Sequence, residues 1–153
     1  APGIRAQAQI AEGKIFSDKM ELSFKGVNRR TFSFSFVFMP KSEKEAKTIE
    51  QIIHMFKFHA HPNYVDGTKG RQLTIPDNFD IEYMYQSHVN NFINKISTCF
   101  LKDITVAYGG DRFTAHRPTE GLQGKGAPAT RTALTLTFQE IEIITRERID
   151  EGF

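Results

Sequence analysis

The side chains able to do chemistry fall into small groups, and each group is incomplete as a reaction centre. His54, His59 and His61 gather at the end of a helical pattern, and the His54-to-His59 interval is one that paired zinc ligands use. No cysteine or suitably spaced carboxylate completes the set, and on a regular helix those two rings point roughly 140° apart. They fit solvated or helix-terminal histidines, whose charge complements the helix dipole. Glu140 and Glu142 lie two apart in a strand pattern and would project together, as paired carboxylates for acid and base work require. Arg146 and Arg148 stand close enough in sequence to make them instead the charged face of that strand. The run Gly121-Leu122-Gln123-Gly124-Lys125-Gly126 invites comparison with a phosphate cradle. Thr119 occupies the place of the first glycine of that motif, however, and Gly126 that of its hydroxyl residue. Cys99 sits on an apolar strand face, where a thiol is usually an inert small hydrophobe. Lys25, Arg29 and Arg30, with Arg112, Arg117 and Lys125, would meet phosphate or an acidic partner, or remain solvated loops. None of these groups supplies a nucleophile with its base, so no enzymatic activity, cofactor or metal is expected.

Charge and composition exclude further classes. Twenty basic against eighteen acidic side chains leave a formal charge of +2, too balanced for affinity that rests on neutralising many phosphates. The 153 residues suffice for one core, since a folded chain of this size buries roughly 70% of the surface its unfolded form exposes. No apolar run approaches the ~18 residues of a membrane span, and no charged-then-apolar signal opens the chain, so it is expected to be soluble and cytosolic at synthesis. A lone cysteine rules out an internal disulfide. The start at Ala1 without Met suggests a trimmed or partial product.

The elements that must position these residues follow from periodicity. Residues 1–18 keep no period and suggest an arm or linker, with a single domain over 19–153. Met20, Leu22 and Phe24 alternate, Gly26-Val27-Asn28 turns the chain, and Phe32, Phe34, Phe36 and Phe38 alternate again, which predicts a β-hairpin. Pro40 ends that strand, and Ser42 with Glu45 forms a capping box for a helix over 42–60, whose apolar stripe is Ala46, Ile49, Ile53, Phe56 and Ala60. Phe79, Ile81, Tyr83 and Tyr85 predict a third strand, residues 92–108 a fourth and 130–144 the last. Parity flips predict bulges near Lys102-Asp103 and Gln139-Glu140, because one inserted residue restores a core face. Residues 109–129 hold five Gly and two Pro, which predicts a long mobile excursion rather than an element. The fold class is therefore α+β, mainly antiparallel.

One helix residue is out of place. With the stripe centred on Ile49, Phe58 falls roughly 180° away and Met55 roughly 120° away, both among charges. A large ring there is costly unless covered, so Met55 and Phe58 are expected to pack on another subunit.

Several stretches in order resemble one family. They are Phe24-Lys25-Gly26-Val27-Asn28-Arg29-Arg30-Thr31-Phe32-Ser33-Phe34-Ser35-Phe36, the Pro40-Lys41-Ser42 joint with Glu45-Ala46, Phe56-Lys57, and Asn94-Lys95-Ile96 with Cys99. The run Leu134-Thr135-Leu136-Thr137-Phe138-Gln139-Glu140-Ile141-Glu142-Ile143-Ile144-Thr145-Arg146 and the closing Gly152-Phe153 complete the set. Residues 19–153 resemble the baseplate tail-tube cap proteins of large contractile-tailed bacteriophages, relatives of the tail-tube protein. Members of that family are longer, and their stretch before the hairpin has no counterpart here.

The resemblance implies a tube-type β-barrel or sandwich with one flanking helix, arranged as a homohexameric ring at the baseplate-to-tail-tube junction that templates tube growth. Implied partners are the tail-tube protein, the tube initiator, baseplate hub proteins and the sheath, with DNA passing through the lumen unbound and no membrane involved. The implied location is the virion tail, after assembly in the host cytoplasm. The turn Lys25, Asn28, Arg29 and Arg30 would face the lumen or a partner. The tail-tube protein or initiator itself is an alternative on the same fold, a small-ligand-binding β-barrel a more distant one, and a hydrolase using Glu140 and Glu142 a third. One strand parity is expected to build the subunit, and part of the other to meet neighbours or line a channel.

Overall fold

Alternating Phe and Ser residues commit Thr31–Phe38 (β1) to a two-faced strand, and its partner is the last strand of the chain rather than the next one. In this computed structural model, which describes residues 26–67, 69–117, 124 and 126–153, the main sheet has the order β1-β5-β4, all antiparallel, with β4 at Cys99–Tyr108 and β5 at Thr132–Glu140. The predicted first arm of the hairpin, Met20 to Phe24, the 1–18 arm and Lys25 lie outside the described residues. Phe32, Phe34 and Phe36 pair with Phe138, Leu136 and Leu134, so the four-Phe face of β1 continues the apolar face of β5. As the central strand, β5 has both edges hydrogen-bonded. Accordingly Leu134, Leu136 and Phe138 are almost fully buried, each worth about 1.5–3 kcal/mol of burial.

The first expected bulge is present. The β4–β5 register shifts between Leu101 and Asp103, so that Cys99 and Leu101 before it, and Ile104 and Val106 after it, share the face of Leu136 and Phe138. The second is absent. The β5 register runs unbroken to Gln139 and Glu140, and the parity flip marks the strand's end, where Ile141 leaves the ladder to donate its N–H to the Thr98 carbonyl. Ile141 and Ile143 are consequently exposed, and no core face is restored beyond Glu140.

The helix α1 spans Glu43–Ala60. The Glu45 N–H donates to Ser42 Oγ at 3.2 Å, while the Glu45 carboxylate accepts from the Lys41 N–H at 2.7 Å, closing the capping box one residue upstream of the usual place. Ile53 is buried, and Ile49, Ile52, Phe56 and Ala60 are partly buried against the sheet.

The third predicted strand is only half realised. Phe79, Ile81 and Tyr83 turn their side chains onto the core in alternation, but the backbone makes one bridge, Phe79 to Cys99. The chain then forms a two-residue ribbon, β2 at Met84–Tyr85 with β3 at His88–Val89. The predicted fourth strand begins at Cys99, not 92. Asn90 Oδ1 accepts the Phe92 N–H at 3.1 Å, an Asx turn that competes with a ladder.

A second helix, α2 at Arg146–Asp150, was not expected from the sequence. It carries the chain to Phe153, over whose ring the Arg148 guanidinium sits at 4.1 Å. The fold is thus α+β with mainly antiparallel strands and two helices, and among the described residues the sheet does not close on itself. No helix among the described residues is long and apolar enough to cross a membrane.

Candidate assembly surface

The groups singled out for chemistry are mostly occupied by one another. His59 Nδ1 lies 2.6 Å from Asp77 Oδ2, and His61 Nδ1 lies 2.5 Å from the Lys57 carbonyl, while the His54 ring lies 6.1 Å from that of Phe58. Three histidines close in sequence therefore serve three separate contacts. Among the described residues no three His, Cys, Asp or Glu side chains come together as a metal site.

Glu140 and Glu142 are held by different arginines, because β5 stops at the first of them. Glu140 is completely buried and accepts from Arg30 Nε at 3.0 Å and Nη2 at 2.7 Å. Its second oxygen, Oε2, has no hydrogen-bond donor among the described residues. Glu142 accepts from Arg148 Nη2 at 2.7 Å and from the Ser97 hydroxyl, and the Arg148 bond above all holds its carboxyl below the usual range. Cys99, paired in register with Glu140, donates its thiol to the Ser97 carbonyl. Burial first, and the Glu140 charge second, push its pKa up to about 11, so it stays a thiol at neutral pH.

The basic turn is likewise bound internally. Arg29 Nε donates to the Ile141 carbonyl at 2.8 Å, and Arg30 Nη2 donates to the Lys95 carbonyl at 3.2 Å besides Glu140. These two arginines fasten the start of β1 to the end of β5, and Asn28 beside them is exposed. The long excursion has a stapled base. Ala115 bridges Ala129, His116 Nε2 lies 2.8 Å from the Pro40 carbonyl, and the Gly109 N–H donates to the Arg131 carbonyl. In the glycine run, Gly121, Leu122, Gln123 and Lys125 lie outside the described residues.

What remains is surface of two kinds. One face of the sheet carries a ladder of small hydroxyls, in which Ser33 meets Thr137 and Ser35 meets Thr135, each at 3.2 Å. The opposite, apolar face is covered by α1 and residues 79–83 only in part, and Phe36 is left 45% exposed. On the outer side of α1, Phe58 is 66% exposed and Met55 47%, so both residues stand where the helical wheel puts them. Among the described residues twenty large hydrophobic side chains are exposed against seven buried hydrophobics.

Sequence reasoning missed the Arg30–Glu140 lock, although its signal was legible. Glu140 continues the parity of Leu134, Leu136 and Phe138, and Arg30 that of Phe32 and Phe34, so each is placed on the core face and needs a partner there. The Arg148–Phe153 stack had no comparable signal. No protein-family model matches the chain, and no curated protein matches it.

Proposed function

We propose that the chain is a non-catalytic structural subunit of a phage baseplate, forming a six-membered ring at the junction with the tail tube and templating its assembly. The observation that carries this reading is the number of exposed large apolar side chains among the described residues, together with a three-stranded sheet that, among those residues, gains only the Phe79–Cys99 bridge at its edges. A sheet open at both edges exposes unpaired backbone groups that invite pairing with other chains, and closure into a barrel shared among subunits removes them. The ordered resemblance of residues 19–153 to tail-tube cap proteins supplies the type of assembly.

In such a ring the hydroxyl face built from Ser33, Ser35, Thr135 and Thr137 suits a lumen. Its groups hydrogen-bond one another and carry no charge, so passing DNA meets few phosphate-binding cations. In this reading the apolar side faces neighbouring subunits and the tube, hub or sheath proteins of the virion tail. Tail-tube and initiator proteins would share this arrangement, and position along the tail separates them.

Electron microscopy of the purified chain tests the reading, with six-fold rings expected. Particles of single-subunit size at every concentration would overturn it. Imaging of an assembled tail would then distinguish a cap at the baseplate from a subunit repeated along the tube.

A further inference from the structure

The segment from α2 to Phe153 is fastened by charge rather than by burial. None of the five residues of α2 is buried, and Ile149 is 54% exposed, so the helix has no hydrophobic anchor of its own. Arg148 takes that place. Its Nη2 and Nε donate to Glu142 Oε1 at 2.7 and 3.2 Å, its Nη1 donates to Glu151 Oε2 at 2.6 Å, and its guanidinium covers the Phe153 ring. From the far side Lys95 donates its N–H to the Gly152 carbonyl at 2.8 Å and its Nζ to the Glu151 carbonyl at 3.0 Å.

Beneath this segment lies a cavity of about 370 Å³. Phe153 lines it together with Ile81, Tyr83, Ile93 and the buried Ile96. Ser97, buried beside Ile96, gives its hydroxyl to Glu142. No residue of 146–153 pairs in the β1-β5-β4 ladders, so the segment can leave without breaking a rung of the sheet. Its departure would widen the cavity and free the Lys95 N–H.

The hold is also a screened one. The side chains of Arg148 and Glu142 are 34% and 39% exposed, and at ~1 M salt charges are screened within about 3 Å. Glu142 is faced by Arg148 from α2, by the Ser97 hydroxyl, and at longer range by Arg30 from the start of β1, all of which favour its ionised form. Arg148 is faced in turn by Glu142 and Glu151. Protonating Glu142 therefore removes one of the two carboxylates that hold Arg148.

We propose that residues 146–153 form an ionic latch over the cavity, shut while Glu142 is ionised at low salt and released by acid or high salt with the sheet intact. The latch is a property of one chain and stands apart from the ring reading. Units that open locally in this way belong to the low end of a protein's range of stabilities.

Hydrogen exchange of the full chain, read by mass spectrometry and corrected for intrinsic rates, tests the latch. Raising NaCl to ~1 M at neutral pH should cut the protection of Lys95 and of residues 149–153 about tenfold, while Leu134 to Phe138 keep theirs. As the pH falls, the same peptides should open before those of β5. Arg148→Met should show the low protection already at low salt, with no further response to salt or acid and with β5 still protected.

Three results would each overturn the proposal. They are exchange of 149–153 only together with β5, protection that ignores both salt and acid, and an Arg148→Met variant that keeps the protection of the unmodified chain.

Discussion

The two faces of the central sheet differ in what they leave undone. On the hydroxyl face each Ser of β1 has a Thr of β5 opposite it within hydrogen-bond reach, so neighbours inside the sheet satisfy its polar groups and no cover is required. On the apolar face Leu134, Leu136 and Phe138 are buried, yet Phe36 at the sheet margin is half open and a groove beside it is lined by apolar side chains, Tyr83 and two acids. Polar surface closes pairwise, through short contacts across one strand pair. Apolar surface closes only by area, and one 18-residue helix with a single buried side chain does not supply enough of it. Under the ring proposal, the apolar side is the one left for a partner.

Substitutions at the sheet test this division, beginning where the largest effect is expected. Arg30→Ala strips the buried Glu140 carboxylate of its only ion-pair partner among the described residues and should cost about 3–5 kcal/mol in denaturant unfolding. The double variant Arg30→Met, Glu140→Leu should recover most of that loss, because it removes the charge along with its partner. Leu136→Ala on the apolar face should cost about 2–5 kcal/mol, whereas Thr135→Ala, the adjacent residue on the hydroxyl face, should cost about 1 kcal/mol. Equal losses at 135 and 136 would erase the distinction between the faces.

Smaller effects sharpen it. Ser42→Ala, which removes the α1 cap, should lower stability by about 1 kcal/mol without changing assembly. Phe58→Asp should do the reverse, leaving monomer stability within about 0.5 kcal/mol while abolishing association. The Glu142–Arg148 pair gives a pH signature. Its carboxyl is held below the ordinary range when folded, so its contribution is complete above the unfolded value and is lost as pH falls through the lower folded value. Glu142→Gln should therefore flatten the acid limb of a stability-versus-pH curve and change little near neutrality.

Much of this architecture was legible from alternation, and the failures share one cause. Facing is a local property. Phe32 to Phe38, the flip at Lys102-Asp103 and the inward turn of Phe79, Ile81 and Tyr83 could all be read from parity. Pairing is not local, so nothing in the sequence said that residues 79–83 would bridge once instead of laddering, or that β5 would lie between β1 and β4. A flip inside a strand and a flip at its end look identical in one dimension, which is why Gln139-Glu140 resembled Lys102-Asp103. Of the candidate site, the helical wheel gave the Phe58 and Met55 knob correctly as exposed. The groove was beyond reach of the sequence, because its lining comes from four segments brought together only by the fold. The reach of Arg29 and Arg30 back to the end of β5 was not legible, because charge in a turn usually means solvent.

Sedimentation velocity over a broad concentration series, run on the chain and on Phe58→Asp, bears most directly on whether the apolar side exists for assembly. The expected result is a concentration-dependent shift of the unmodified chain toward a closed six-subunit species, with the variant remaining a folded monomer. A single monomeric boundary for both, at every concentration, would contradict it.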